Sequence, residues 1–314
     1  MTDLIDVHSH FVTDEYVAAA VEAGHVRPQG MPGWATWSTS EHLALMDQTG
    51  VRTAILSISA PGVHFGDDVA ARRLARHVNE FARIVVSDHP GRFAHFASLP
   101  FPDVDGSLAE LVYALDVLGS DGVAVLTNAH GVYLGDGRYE QVYAELDRRG
   151  ATVFVHPVEP VNWQVVSLDR PRPMLEFIFD SARAASDLVL SGVLSRYPRI
   201  NWIFSHSGGA LPVLVERIQV FCDLFMDLAE PPTVAEQLGG LWYDIAGTPF
   251  PNAVPALVRA FGDQRVLYGS DYCWTPAPGT KSQVESVDAA VQPDGTTWRA
   301  LTTRNAGQIF PQLG

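Results

Sequence analysis

The sequence predicts an α/β fold of the (β/α)₈, or TIM-barrel, class, and three observations support this prediction. Eight short runs rich in β-branched and apolar residues recur along the 314-residue chain. Segments with helical spacing of apolar residues lie between these runs. Several runs are apolar on both faces, which is typical of parallel strands that helices cover. Eight alternating strands and helices favour a closed barrel over an open, doubly wound sheet.

The candidate strands begin close to the first residue and end near residue 270. They are LIDV (4–7), TAILSIS (53–59), RFAHFASL (92–99), GVAVLT (122–127), TVFVH (152–156), INWIFS (200–205), LWYDIA (241–246) and RVLYG (265–269). No GxGxxG or GxxxxGK[ST] motif follows any of these strands, which argues against the common nucleotide-binding α/β folds.

The candidate helices have an apolar face, and several end in Gly or have Pro nearby, as helix ends often do. They span residues 39–50, 69–88, 107–120, 138–150, 173–192, 211–227 and 253–263. Two segments carry little periodicity and are predicted loops, GHVRPQGMPGWATWS (24–38) and DYCWTPAPGTKSQVE (271–285). In a barrel both loops would lie over the carboxyl ends of the strands, where active sites form. We expect one domain over residues 1–314, with a loop insertion after the first strand at about residues 11–38.

Composition excludes several classes of function. The formal net charge is −15 and there is no evident basic patch, which argues against a nucleic-acid or anionic-membrane partner. The two cysteines, Cys222 and Cys273, are too few for a disulfide framework and suit a reducing compartment. The chain start does not resemble a signal peptide, and no apolar run reaches membrane-spanning length. We therefore expect a cytoplasmic protein.

The most informative residues are histidines and one aspartate at the ends of predicted strands. In the stretch IDVHSHF, His8 and His10 are two residues apart, so an extended strand directs both side chains to the same face. His156 ends TVFVH, His206 follows INWIFS, and Asp271 follows RVLYGS. A parallel barrel brings these strand ends together, and imidazole nitrogens with one carboxylate oxygen are usual ligands of Zn²⁺ or Mn²⁺. The sequence therefore predicts a metal site at the barrel mouth.

These motifs resemble a known family. IDVHSHF, VFVHP, RYPRINWIFSHSGGALP and RVLYGSDY are similar to signatures of the amidohydrolase superfamily, in particular its amidohydrolase-2 branch. That branch includes aminocarboxymuconate-semialdehyde, resorcylate and 6-methylsalicylate decarboxylases. The similarity extends through residues 45–63, 91–111 and 134–157, and so covers nearly the whole chain. It implies a metal-dependent enzyme on a barrel scaffold.

The resemblance also implies which residues hold the metal. Many members of the superfamily bind two metals through a carboxylated lysine at the end of the fourth strand. Here the strand ends in GVAVLTNAH (122–130), which contains no lysine, and Lys281 is the only lysine of the chain. We therefore expect one divalent ion, Zn²⁺ or alternatively Mn²⁺, with His8, His10, His156 and Asp271 as ligands. His206 would lie beside it as a proton handler or a weak extra ligand.

Two reactions fit this site. The resemblance favours non-oxidative decarboxylation of a hydroxylated aromatic acid of the salicylate type, such as 6-methylsalicylate. Asp271 would protonate the ring carbon that carries the carboxylate, and His206 would orient or recharge Asp271. The alternative is hydrolysis of a lactone, amide or ester, in which His206 would deprotonate a metal-bound water. The ligands alone do not decide between the two reactions.

Residues in the predicted loops indicate the size and charge of the substrate. Trp34, Trp37 and Trp274 could form the walls of a flat aromatic pocket, and Asn128 could contact the substrate from the loop after the fourth strand. Aminocarboxymuconate-semialdehyde decarboxylases bind a second carboxylate through arginines just before a Met-Asp pair. The corresponding stretch here, STSEHLALMD (38–47), contains no arginine, which favours a small aromatic monocarboxylate.

Three further expectations concern single residues and assembly. His42, within the same stretch, is interpreted as a histidine on a helix surface. Asp244, in LWYDIAG, could hold a ligand histidine by a hydrogen bond. Members of this branch are often dimers or tetramers, so we expect a homodimer or homotetramer.

Overall fold

The computed structural model describes residues 3–226 and 232–313, and it contains the eight predicted strands. We number the barrel strands β1 to β8 in chain order. They are Leu4–His10, Val51–Ser57, Phe93–Ser98, Gly122–Leu126, Thr152–His156, Asn201–Phe204, Trp242–Asp244 and Val266–Leu267. A separate two-stranded hairpin joins Asn128–Ala129 to Val132–Tyr133.

The eight strands form one parallel sheet in sequence order. Each strand pairs in parallel with the next along the chain. Two isolated parallel bridges, Asp6 with Tyr268 and Ser9 with Tyr272, bring β1 beside the segment that follows β8. The sheet therefore curls into a nearly closed barrel, and the predicted (β/α)₈ fold is confirmed.

Helices surround this sheet. In chain order, α1 to α13 are Asp14–Glu22, Thr39–Thr49, Asp68–Asp88, Val104–Tyr113, Glu140–Arg149, Trp163–Val166, Glu176–Leu190, Val193–Arg196, Leu211–Phe225, Val234–Gly239, Val254–Phe261, Ala277–Ala289 and Trp298–Ile309. Local signals set several ends, as in α2, where the Ser38 side chain accepts a hydrogen bond from the Glu41 N–H and Gly50 closes the helix at φ 71°. None of the helices described is both long and apolar enough to cross a membrane.

The core has two layers. A large cluster lies between the sheet and the helices and includes buried residues such as Leu56, Val78 and Leu188. A second cluster takes at least one residue from every barrel strand and therefore fills the barrel interior. Its members are Ile5, Val7, Ile55, Ala94, Phe96, Ala124, Phe154, Ile203, Trp242 and Leu267, joined by Ala306 and Phe310. The barrel interior is therefore a packed core and not an open channel.

Two predicted loops contain helices. Within residues 11–38, α1 forms because the Thr13 side chain caps the Tyr16 N–H and Asp14 and Glu15 occupy the first turn. Within residues 271–285, α12 begins at Ala277. The run TPAPG suggests a loop, but proline is tolerated in the first turn of a helix, where its missing N–H has no intrahelical partner.

Candidate metal centre and substrate cavity

The predicted ligands lie where the strands open toward the barrel mouth. His10 is the last residue of β1, His156 is the last residue of β5, and Asp271 follows β8. The register of β1 against β2 shifts between Asp6 and Ser9, an irregularity of the kind that redirects side chains beside active sites. Asp271 has a left-handed backbone, with φ 58°, which is uncommon for a residue with a side chain and is typical of functional sites.

The four predicted ligands form one compact cluster. His8, His10, His156 and Asp271 each offer a nitrogen or oxygen atom, and these four atoms lie within 4.8 Å of one another. His8 Nε2 is 2.9 Å from His10 Nε2. Asp271 Oδ1 is 3.2 Å from His10 Nε2 and 3.4 Å from His8 Nε2. All three imidazoles are buried.

The hydrogen bonds of the outer nitrogens determine which atoms face the centre of the cluster. His8 Nδ1 lies 3.0 Å from Asp244 Oδ2, and His156 Nδ1 lies 2.8 Å from the Pro157 carbonyl. His10 Nδ1 lies 3.0 Å from the Ser57 hydroxyl and 3.3 Å from the Ser57 carbonyl. Carboxylate and carbonyl oxygens only accept hydrogen bonds, so Nδ1 is the protonated nitrogen of His8 and His156. The Ser57 hydroxyl donates its hydrogen to the Ser9 carbonyl at 3.2 Å and so accepts from His10, whose Nδ1 is therefore also protonated.

The inward-facing atoms fit a cation. With each Nδ1 protonated, each Nε2 presents a lone pair unless it binds a proton or a metal ion. Asp271 Oδ1 is also buried, and it has no hydrogen-bond partner in the described part of the chain. Three imidazole lone pairs and one carboxylate oxygen are a ligand set that a divalent ion such as Zn²⁺ or Mn²⁺ accepts.

The charge states agree with this assignment. Burial raises the pKa of Asp271, but the neighbouring imidazoles of His10, His206 and His8 hold it well below its usual value, so the carboxylate is ionised. Burial and the neighbouring His10 lower the pKa of His156 well below its usual value, so that imidazole is neutral. Burial also lowers the pKa of His8, but the neighbouring carboxylates of Asp244 and Asp271 together outweigh burial and raise this pKa to about 10. A metal ion therefore competes with a proton for His8 Nε2.

Asp244 connects the cluster to His206. Its Oδ2 accepts the His8 Nδ1 hydrogen bond, and its Oδ1 accepts the backbone N–H of His206 at 3.2 Å. Asp244 thus makes the expected hydrogen bond to a histidine, His8, which is one of the four predicted ligands. His206 itself lies outside the four-atom cluster, and its Nε2 is 3.6 Å from Asp271 Oδ2. This position suits proton exchange with Asp271 rather than a place among the four ligands.

A cavity of about 490 Å³ opens beside the cluster. His156, His206 and Asp271 line one part of it. Apolar side chains line much of the rest, including Met31, Met174, Phe177, Ile178 and Trp274. No arginine or lysine is among the described residues that line it. A small aromatic acid fits such a cavity, because binding sites of this kind are mostly apolar with few polar groups.

Two of the tryptophans that were expected to contact substrate lie at or near this cavity. Trp274 lines it, and its Nε1 is buried without a hydrogen-bond partner among the described residues. Trp34 packs behind Trp274, with ring centroids 5.8 Å apart, and donates its Nε1 hydrogen to the His25 carbonyl at 2.9 Å. Trp34 is not among the lining residues.

The structure places Trp37 and Asn128 away from the cavity of about 490 Å³ beside the four-residue cluster, which we call the metal-cluster cavity. Trp37 packs on Phe11 and donates its Nε1 hydrogen to His42 Nδ1 at 3.0 Å. Asn128 donates to Asp180 Oδ2 at 3.0 Å and lines a neighbouring cavity of about 310 Å³. Both polar groups are therefore already paired with protein atoms.

The interpretation of His42 as a surface histidine is wrong. His42 is buried in α2, where it accepts the Trp37 hydrogen bond and packs on Tyr272 with ring centroids 4.7 Å apart. Burial lowers its pKa to about 3, so the imidazole is neutral. The helical pattern could not reveal this, because the tryptophan that buries the ring comes from the preceding loop.

Sequence reasoning did not identify several residues of the cavity. Gln29, Met174 and Phe177 all line it. Met174 and Phe177 fall near the start of the predicted helix 173–192, where spacing alone does not distinguish a substrate contact from core packing. Gln29 lies in an aperiodic loop, and nothing in the local sequence indicates that its side chain turns inward.

Comparison with known proteins identifies the family. The family model described as amidohydrolase matches residues 5–312. The chain belongs to the amidohydrolase family. Among relatives of this amidohydrolase, a 6-methylsalicylic acid decarboxylase from Penicillium expansum is 34% identical over 318 residues, covering 98% of this chain and 96% of the relative.

Solved structures show the same fold. A crystal structure of an amidohydrolase II superposes with a TM-score of 0.91 at 29% identity and covers 98% of this chain and 100% of that one. A dihydroxybenzoic acid decarboxylase from a Polaromonas species, solved with bound manganese and the inhibitor 2-nitroresorcinol, has a TM-score of 0.82 at 22% identity. That likeness covers 99% of this chain and 97% of the other chain.

Proposed function

We propose that this amidohydrolase is a metal-dependent, non-oxidative decarboxylase of a hydroxylated aromatic carboxylic acid of the salicylate type, such as 6-methylsalicylate. The observation that carries the proposal is the position of the four-residue cluster, whose His156 and Asp271 line a largely apolar cavity of about 490 Å³. The activity named for the Penicillium relative supports the same chemistry.

The residues assigned to the metal are His8, His10, His156 and Asp271, with one divalent ion per site. When bound, a divalent ion supplies Lewis acidity that stabilises negative charge on the carboxylate and hydroxyl oxygens of the substrate. We propose Zn²⁺ as the metal ion, with Mn²⁺ as the alternative. Both ions accept nitrogen and oxygen ligands. Mn²⁺ is included because a decarboxylase of the same fold contains manganese. Elemental analysis of gently purified protein distinguishes the two ions.

Asp271 is the residue we assign to ring protonation. The carboxylate is ionised in the resting protein, so it must receive a proton before it can act as an acid. His206 is in place to supply that proton, since its Nε2 lies 3.6 Å from Asp271 Oδ2. The proton then passes to the ring carbon that carries the carboxylate. The bond between that carbon and the carboxylate breaks, its electron pair returns to the ring, and CO₂ leaves.

The charge of the cavity supports a monocarboxylate. A second carboxylate would need a cationic partner, and neither arginine nor lysine is among the described lining residues. Arg172, which lies close by in sequence, is occupied by an ion pair with Glu159. The apolar side of the cavity suits an aromatic ring with a small apolar substituent.

Turnover of defined acids tests this proposal. We expect the metal-loaded protein to convert 6-methylsalicylate, salicylate or a resorcylate to CO₂ and the matching phenol. His206→Gln should retain the metal ion and lower kcat by roughly 10²- to 10⁴-fold, because it removes the proton donor and none of the four ligands. Absence of phenol from every hydroxybenzoate would contradict the proposal. Lactone hydrolysis that is lost in His206→Ala would favour the hydrolase alternative.

We also propose that the protein forms a homodimer or homotetramer. The outer face of α9 exposes large apolar side chains, with Val213, Leu224 and Phe225 exposed by 76%, 68% and 72%. Large apolar side chains exposed together on one helix are a common feature of association sites. Sedimentation equilibrium at assay concentrations checks the proposal, and a monomeric mass would contradict it.

A reducing, cytoplasmic location is a further proposal. Cys222 and Cys273 are both buried and unpaired, as expected of a protein that carries no structural disulfide. Subcellular fractionation of the native host checks it.

A further inference from the structure

Gln29 lies in the loop between α1 and α2, and its side chain is buried at the edge of the metal-cluster cavity. The residue is 4% exposed and lines both this cavity and the neighbouring cavity of about 310 Å³. It therefore lies at the partition between the two cavities. No part of the proposed mechanism requires a glutamine there.

A backbone hydrogen bond fixes the orientation of the Gln29 amide. Its Oε1 accepts the N–H of Glu159 at 3.1 Å. An N–H can only donate, so this contact identifies the oxygen of the amide and leaves Nε2 as the free donor end. The hydrogen bonds within residues 3–226 and 232–313 include none from Gln29 Nε2.

The loop that carries Gln29 is held in place. Gln29 has a left-handed backbone, with φ 51° and ψ 26°, a conformation that persists in residues with side chains only where the surroundings impose it. A Cβ at Gly30 would collide with Arg172 Nη1, so the loop packs directly on that guanidinium. Arg172 in turn pairs with Glu159 and lies 4.0 Å over the ring of Trp163. These contacts preorganise the amide.

Neutral hydrogen-bond donors are the groups that could bind further oxygens of an acid in this cavity. The carboxylate and hydroxyl oxygens of an aromatic acid have more lone pairs than one metal ion would take, and no arginine or lysine among the described lining residues can bind the remaining ones. An amide NH₂ is a suitable partner, because hydrogen bonds to a charged acceptor are stronger than those between neutral groups.

We infer that Gln29 is a substrate-binding residue that determines specificity, and that its Nε2 donates a hydrogen bond to an oxygen of the bound hydroxybenzoate. This inference rests on the proposed function, because it names a recognition element of the same site. A purely structural role, in which Gln29 only anchors its loop through Glu159, is the competing explanation.

Two variants separate these roles. Gln29→Glu keeps an oxygen that can accept the Glu159 N–H, removes the donor and adds a negative charge when ionised, whereas Gln29→Met removes donor and acceptor without adding charge, so only loss of the donor is common to both. Calorimetric titration of the metal-loaded proteins with salicylate measures affinity without requiring turnover. Gln292→Met is a matched control, because Gln292 bonds the Val287 carbonyl and the Trp298 N–H and lines neither cavity.

We expect both Gln29 variants to bind salicylate roughly 10- to 100-fold more weakly than wild type, with unchanged metal content. Their KM for a converted acid should rise more than kcat falls. Gln292→Met should lower the melting temperature and leave salicylate affinity unchanged. Melting temperatures of all variants show whether each has folded.

If Gln29→Glu binds salicylate as tightly as wild type does, the inference is overturned, whether or not Gln29→Met binds more weakly. The decarboxylase proposal would remain intact. Wild-type protein that neither binds nor converts any hydroxybenzoate would overturn both proposals.

Discussion

Asp244 links metal binding to the proton-handling side of the site without being a ligand itself. Its two oxygens accept from His8 Nδ1 and from the His206 backbone N–H. Removing its charge therefore changes the orientation and basicity of a ligand without removing a ligand. Partners of this kind commonly determine metal affinity.

Asp244→Asn should lower metal affinity by roughly 10- to 100-fold, because an amide NH₂ facing His8 Nδ1–H would disfavour the tautomer that presents Nε2 to the ion. Competition with a chromogenic chelator measures the affinity. Asp180→Asn is a matched control, since Asp180 is equally buried and bonds Thr127, Asn128 and Tyr133 instead of a ligand. Equal metal affinity in Asp244→Asn and wild type would contradict the assigned role.

At the scale of single elements, α2 shows what local patterns predict and what they miss. Its ends follow from Ser38 and Gly50, and residues 39–50 were predicted to be helical. The burial of His42 was not predicted, because it depends on Trp37 and Tyr272, which approach from a loop and from the segment after β8. A helical pattern describes one element, whereas burial depends on all its neighbours.

The buried imidazole of His42 gives the fold a measurable pH dependence. Its pKa is about 3 in the folded protein and near 6.5 when unfolded, so the unfolded state binds more protons between these values. The free energy of unfolding should therefore fall as pH decreases from about 6.5 toward 3, by up to ~1.4 kcal/mol per pH unit from this residue. Urea unfolding at pH 6.5, 5.5 and 4.5 measures this slope.

In His42→Gln the slope should be shallower, because a neutral amide can accept the Trp37 hydrogen bond and does not titrate. Identical slopes for the variant and wild type would show that His42 does not titrate in this way.

At the scale of the whole molecule, the barrel explains why the metal ligands could be predicted and the cavity could not. His8, His156 and Asp271 are far apart in sequence, but parallel barrel strands end at one mouth, so positions at strand ends converge. The cavity walls come from the segments that connect strands and helices. The paths of these segments cannot be predicted from the two-residue period of strands or the 3.6-residue period of helices. Trp37 and Asn128 therefore lie away from the cavity, whereas Gln29 and Met174 line it.

The isotopic composition of the product tests the central claim most directly. Metal-loaded protein in D₂O should convert 6-methylsalicylate to CO₂ and 3-methylphenol with one deuterium, at the ring carbon that carried the carboxylate. The same incubation with metal-stripped protein should give no product. Product without deuterium at that carbon, or equal turnover after the metal is removed, would contradict metal-dependent decarboxylation by ring protonation.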